Sequence, residues 1–356
     1  MAKTVFVGMS GGVDSSVSAL LLKEQGYKVV GIYMKNWSKD LPGMKCPWAE
    51  DLADAKRVAV KLGIDFEVFD FEKAYREKVV EYMLAEFKKG NTPNPDVMCN
   101  QEIKFKLFYE EAMKRGADFI ATGHYARVET SSEVPLLMRA IDENKDQTYF
   151  LYRISDEALT HTLFPIGEMT KPEVKKLAAE NGLHNAYKKE SMGVCFVGEV
   201  GMKDFLKEYI DIEPGEIREI ESEKVLGYHE GAVFYTIGQR HGLYLNGVAG
   251  EVNDGLPYYV VKKDIENNVV YVSKNLNDEH IWTKELELKD VTTRRDVPSN
   301  TLVRLRHRAP LIPTEIILGK NKTAVLKFEN EIKRPAAGQS AVIYDGEICL
   351  GGGIIA

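Results

Sequence analysis

The chain has 356 residues, 47 Lys and Arg against 54 Asp and Glu, a formal net charge of −7 and four cysteines. No apolar run reaches the roughly 18 residues of a membrane span, four cysteines are too few for a disulfide framework, and the apolar stretch after Lys3 is too short for a secretion signal. A soluble, cytoplasmic protein of two to three domains is expected, and the acidic total argues against a nucleic-acid partner. Thr4 to Met9 is a short apolar run and Ser10 to Asp14 a Gly-rich turn. Ser15 to Gln25 reads as a helix stopped by Gly26, and Lys28 to Met34 as a second strand. A helix over Glu50 to Leu62, a strand over Asp65 to Phe71, helices over Glu72 to Lys89 and Gln101 to Arg115, and a strand over Ala117 to Thr122 follow. This alternation predicts an α/β fold, a doubly wound, mostly parallel sheet with helices on both faces. After a helix at Met202 to Ile210 the pattern turns to short β segments: Tyr258 to Lys262, Val269 to Val272, Thr301 to Arg306, Thr314 to Leu318, Thr323 to Phe328 and Ala341 to Tyr344. Spacing suggests small β domains or barrels after residue 203, and three domains are expected, at 1–203, 204–277 and 278–356, the second small and β-rich and the third taken as a β-barrel.

The loop Ser10-Gly11-Gly12-Val13-Asp14-Ser15-Ser16 joins the first strand to the first helix. Glycines let a backbone approach a ligand, a helix N-terminus offers unpaired N–H groups to an anion, and three serines add donors. The spacing fits neither G-x-x-x-x-G-K-[ST] nor G-x-G-x-x-G. A plain strand–turn–helix junction is the alternative. A second candidate is Asn94-Pro95-Asp96-Val97-Met98-Cys99-Asn100, stiffened by Pro93 and Pro95. Cys99 is expected at a helix N-terminus, where the dipole favours a thiolate. Asp96 is placed to serve as a general acid/base or as an N-cap. Gly193 to Phe196 offers Cys195. A lone cysteine is more often a buried hydrophobe than a nucleophile, and both readings stay open here. Cys46 reads as a loop thiol and Cys349 as core. No C-x-x-C occurs, which argues against zinc or an iron–sulfur cluster, and no protein-bound metal is expected. His161 and His184 read as structural.

SGGVDS after a strand resembles the pyrophosphate loop (PP-loop) of ATP pyrophosphatases. The likeness extends along the chain: GMSGGVDSSV, NPDVMCN, ATGHYAR (121–127), KDQTYFLY (145–152), GVCFVGE (193–199), YTIGQRHGL (235–243) and GEICLGGGII. In that order these segments resemble the tRNA-specific 2-thiouridylases, the MnmA family. The resemblance implies that Gly8, Met9, Ser10, Gly11, Gly12, Val13, Asp14, Ser15, Met34 and Gly123 bind ATP, with Mg2+. It implies that Asn94, Pro95 and Asp96 contact the target uracil, that Cys99 is the nucleophile, and that Cys195 carries a persulfide. His124, Lys145, Asp146, Gln147, Arg306, His307 and Gln339 would contact tRNA. The implied reaction is 2-thiolation of the wobble uridine: ATP adenylates O2, persulfide sulfur attacks C2, and AMP leaves. Implied partners are Glu, Gln and Lys tRNAs and a cysteine desulfurase or sulfur-relay protein, with the enzyme a monomer. Two alternatives stand beside it: a nitrogen-ligating ATP pyrophosphatase, and a non-catalytic protein that binds tRNA in response to ATP.

Counting charge locally modifies the opening inference. Asp204 to Glu223 holds eight acids against Lys207 and Arg218, whereas Arg294 to Arg308 holds five arginines against Asp296. The second segment predicts a basic face for a phosphate backbone.

Overall fold

The computed structural model describes residues 2–40, 46–131, 133–189, 202–243, 245, 257–275 and 280–356. Seven strands come from the first region: β1 Thr4–Gly8, β2 Lys28–Lys35, β3 Asp65–Asp70, β4 Phe119–Ala121, β5 Ala126–Glu129, β6 Leu136–Arg139 and β7 Thr162–Leu163. Five of them form an all-parallel sheet in the order β3-β2-β1-β4-β7. Both faces are covered, which is why β1 reads as an unbroken apolar run. Phe6 packs with Phe69, Phe105, Phe108 and Ile120 on one face. Val5 and Val7 pack with Val17, Leu20, Val58 and Val174 on the other. Helices α1 (Val13–Glu24) and α2 (Trp48–Leu62) follow β1 and β2. The chain winds outward from β1 to β3, then returns to β4 on the other side of β1. Ligands bind at such a switch point, beyond the carboxyl ends of the strands.

The helix expected over Gln101 to Arg115 begins six residues earlier. Asn94 caps it, its Oδ1 accepting from Val97 N at 3.4 Å. Pro95 takes the first helical position, where its missing N–H costs nothing and its φ is already set. From Pro95 the helix runs to Lys114, with π-type turns over Cys99–Leu107. Cys99 therefore lies in the second turn, not at the N-terminus, which removes the dipole argument for it.

Helix Met202–Lys207 leads into a small sheet of β8 Gly215–Glu219, β9 Val225–His229, β10 Tyr259–Asp264 and β11 Val269–Ser273, ordered β10-β11-β8-β9. Phe205, Leu206 and Ile210 pack on Tyr75, Val79, Met83 and Ile103 of the first region. Six further strands close on themselves: β12 Trp282–Thr293, β13 Asn300–Arg304, β14 Ile312–Leu318, β15 Ala324–Lys333, β16 Ser340–Asp345 and β17 Ile348–Ile355. The ring order is β12-β15-β14-β13-β16-β17, shut by β12 against β17. Closure removes the sheet edges.

The first half of β17 also pairs with β6, Ile348 opposite Met138 and Cys349 opposite Leu137. The β5–β6 hairpin thus fastens the first region to the barrel. Gly351 permits the change of partner. Its φ is +144°, and a Cβ there would stand 2.0 Å from the Thr292 carbonyl.

Candidate functional site

The phosphate-type loop lies at the switch point. Gly11 takes φ +78°, and a Cβ on it would meet the Asp51 carbonyl at 2.5 Å. Ser15 Oγ donates to Gly12 O at 3.1 Å and accepts from Ser10 N at 3.2 Å. Gly12 N donates to Ser10 Oγ at 3.4 Å. Asn185 Nδ2 donates to Gly11 O and Ser16 Oγ, both at 2.9 Å. Gly8 abuts Met34, whose Cε would be 2.8 Å from a Cβ at that position. Gly123, just past β4, presses on the start of α1: a Cβ there would be 2.6 Å from Ser15 N. The structure thus brings together Gly8 to Ser15, Met34 and Gly123.

Sequence reasoning missed Lys171. Its Nζ lies 2.7 and 2.8 Å from the two carboxylate oxygens of Asp14, and Tyr125 OH donates to the same carboxylate at 3.0 Å. The T-K-P-E capping box at Thr170 to Glu173 announces a helix there, but nothing local announces that the lysine is buried.

Asp96 is half-buried. Burial pushes its carboxyl above the usual aspartate range, and Lys104 opposes that. His124 is held well below the usual histidine range, chiefly by burial and then by Lys104. An ammonium can only donate, so Lys104 Nζ gives to His124 Nε2 at 3.5 Å, and His124 Nδ1–H gives to Thr122 Oγ1 at 2.8 Å. Cys99 is 3 % exposed, in the cluster with Val79, Ile103 and Phe205. Cys195 lies outside the described residues. Cys349 is core, its thiol pushed up to about 12 by burial. Cys46 is buried, with its backbone N–H on Asp40 Oδ1 at 2.8 Å. His184 pairs with Asp54 at 3.0 Å and His161 Nδ1 contacts Glu157 O at 3.0 Å. Among the described residues no three His, Cys, Asp or Glu side chains cluster as metal ligands. Asp14, the carboxylate in the loop, is taken up by Lys171 and Tyr125.

The residues assigned to tRNA divide. Arg306 is exposed and Lys145 half-buried. His307 lies against Phe150, ring centres 4.6 Å apart, and burial followed by the nearby Arg308 lowers its pKa to about 4. Gln147 brackets the Tyr125 backbone, its Oε1 accepting from Tyr125 N at 2.8 Å and its N donating to Tyr125 O at 2.9 Å. Gln339 Nε2 donates to the carbonyls of Thr92 at 2.6 Å and Pro93 at 3.5 Å, holding the loop that precedes Asn94. Asp146 is 1 % exposed. It takes Arg304 Nη1 at 2.6 Å and Thr148 Oγ1 at 2.9 Å, so its carboxylate has no surface to offer a nucleic acid.

The basic segment also departs from expectation. Arg294 binds Asp156 and the Ile154 carbonyl. Arg295 donates to Val134 O at 2.6 Å, and Arg304 is spent on Asp146. Three of the five arginines clamp the barrel to the catalytic region, and only Arg306 and Arg308 stay exposed. A count of charge along the chain does not see which cations fold inward.

A parallel sheet with an anion-shaped loop at its switch point, bolted to a closed β-barrel, defines an α/β nucleotide-site domain with a β accessory module. Family models described as tRNA methyl transferase HUP domain, tRNA methyl transferase PRC-barrel domain and aminomethyltransferase beta-barrel domain match residues 3–199, 203–274 and 280–355. The tRNA-specific 2-thiouridylase MnmA of Lysinibacillus sphaericus is 45% identical, covering 99% of this chain and 93% of that one. MnmA 1 of Geobacillus kaustophilus is 47% identical over 99% and 95%. The chain belongs to the tRNA-specific 2-thiouridylase family. Solved structures match loosely, for instance a 4-thiouridine synthetase–RNA complex with bound ATP at a TM-score of 0.37 and 16% identity over 55% of this chain and 45% of that one.

Proposed function

We propose that this chain is an ATP-dependent tRNA-uridine 2-sulfurtransferase. Uridine O2 attacks the α-phosphate of ATP, pyrophosphate leaves, and O2 carries AMP. The terminal sulfur of a Cys195 persulfide then attacks C2, after which the Cys99 thiolate attacks Cys195 Sγ, breaking the S–S bond, forming a Cys99–Cys195 disulfide and leaving the sulfur on C2; or Cys99 attacks the persulfide first, forming the same disulfide and releasing hydrosulfide that attacks C2. AMP departs with the original oxygen. Mg2+ enters with the triphosphate, as part of the substrate. A cysteine desulfurase or sulfur-relay protein loads Cys195, and the substrates are the Glu, Gln and Lys tRNAs. The enzyme works as a monomer in the cytoplasm. No helix among the described residues is long and apolar enough to cross a membrane.

The observation that carries this reading is the seat of Gly123 against Ser15. It sets the loop suited to phosphates beside the segment bearing His124, with Lys104 and Asp96 next to it. A half-buried carboxyl with its pKa raised by desolvation supports proton transfer at the base or the thiol by Asp96. The family description also mentions methyl transfer, but glycines and serines at a helix N-terminus favour phosphate chemistry. A nitrogen-ligating enzyme would need neither Cys99 nor Cys195. The test is mass spectrometry of nucleosides from tRNA incubated with ATP, Mg2+ and a persulfide source. The wild-type chain is expected to yield 2-thiouridine and Cys195→Ser none. Full product from Cys195→Ser would end the sulfur-relay reading.

A further inference from the structure

Lys171 stands beside the phosphate loop and has no part in the steps above. It opens helix Lys171–Glu180, with Thr170 as N-cap. It is 6 % exposed, its ammonium bridges both oxygens of Asp14, and it sits 5.8 Å from the centre of the Tyr125 ring. Asp14 belongs to the first turn of α1, so the ammonium lies where two helices begin.

That is a costly place for a cation. Burial strips its water, and the first turns of both helices present the positive ends of their dipoles. A buried ion pair rarely stabilises more than an apolar pair of equal size, so fold stability alone does not account for it. Asp14 raises the complementary problem, since a carboxylate in a phosphate loop repels the phosphates it is to receive. Lys171 cancels that charge. Its ammonium is a compact point charge with rotatable donors on a flexible stem, able to turn from the carboxylate to a phosphate at the adjacent α1 N-terminus.

We infer that Lys171 is a catalytic residue of the adenylation step, binding the β- and γ-phosphates of ATP and holding the pyrophosphate as it leaves. In that step uridine O2 forms a bond to the α-phosphorus. The bond from that phosphorus to the bridging oxygen breaks, and its electron pair departs with the pyrophosphate. Lys171 stabilises the negative charge that collects there and transfers no proton. This inference rests on the proposed use of ATP, and its test separates the two.

Titration calorimetry on the full chain compares ATP with adenosine, which has the base and sugar but no phosphate. Lys171→Met is expected to weaken ATP binding about tenfold or more, the loss of a charge-assisted contact, and to leave adenosine within about twofold. Lys171→Arg, which keeps the charge but not the ammonium geometry, is expected to fall between wild type and Lys171→Met for ATP. If Lys171→Met does not fold, Lys171→Arg decides: weaker ATP binding with unchanged adenosine binding supports the role. Equal losses for ATP and adenosine, or no loss for ATP, overturn it. A wild-type chain that binds no ATP would overturn the proposed function itself.

Discussion

At the scale of single residues, Asp96 and His307 make opposite predictions about pH. The Asp96 carboxyl is raised by burial. Its unfolded form ionises first as pH rises, so the folded state loses stability from the ordinary aspartate value of about 4 upward until pH passes the raised value. Asp96→Asn is therefore expected to melt higher than wild type at pH 7, with the difference vanishing in acid, while 2-thiouridine formation falls. Thermal melts across pH, read beside a nucleoside assay, check both. His307 is lowered to about 4, so its unfolded form takes up protons first, and folded-state stability drops as pH falls from about 6.5 towards 4. His307→Phe keeps a ring on Phe150 and is expected to remove that acid loss. The candidate residues around the loop were legible because the motif is contiguous. Lys171 was not, because its partner Asp14 is 157 residues away.

At the scale of elements, Pro95 shows how one residue supports two readings. Between two loops a proline stiffens; one position after an Asn it starts a helix. Asn94→Ala removes the cap and is expected to cost about 0.5–2 kcal/mol, seen as a lower unfolding midpoint in urea. The β5–β6 hairpin escaped notice for a different reason. Each strand has only four residues, the shortest stretch over which alternation can be read, and β6 (Leu-Leu-Met-Arg) does not alternate; the partner β17 lies near the far end of the chain. The run Gly351-Gly352-Gly353 reads in sequence only as part of a motif, but its need is three-dimensional. Gly352 lies against the Tyr152 ring, where a Cβ would come within 3.0 Å of Cδ2, and within 2.5 Å of the Ala341 carbonyl.

At the scale of the whole molecule, the arginines of 294–308 sort into clamps and surface charges. Arg304→Met would leave the buried Asp146 only Thr148, the Ala140 N–H and a longer ion pair to Arg139 at 3.8 Å, which is expected to cost up to about 3–5 kcal/mol, whereas Arg304→Met with Asp146→Leu should recover most of that loss in calorimetric melts. Arg306→Ala is expected to leave the melt unchanged, weaken tRNA binding, and lower the salt dependence of that binding by about one ion. The acidic total and the basic segment are thus both poor guides to the tRNA face, since the clamps take most of the positive charge out of solvent. The parallel sheet and the barrel were legible from the alternation and spacing of apolar runs; their attachment was not, because it rests on ion pairs and a hairpin that join distant parts of the chain.

Adenylation of O2 followed by its replacement with sulfur makes one demand that competing routes do not: the oxygen lost from uridine must leave on AMP. The measurement is to supply tRNA whose target uridine carries heavy oxygen at O2, with ATP, Mg2+ and a persulfide donor, and to weigh the AMP formed. Heavy AMP in step with 2-thiouridine is the predicted result, and unlabelled AMP beside the same yield of 2-thiouridine would contradict it.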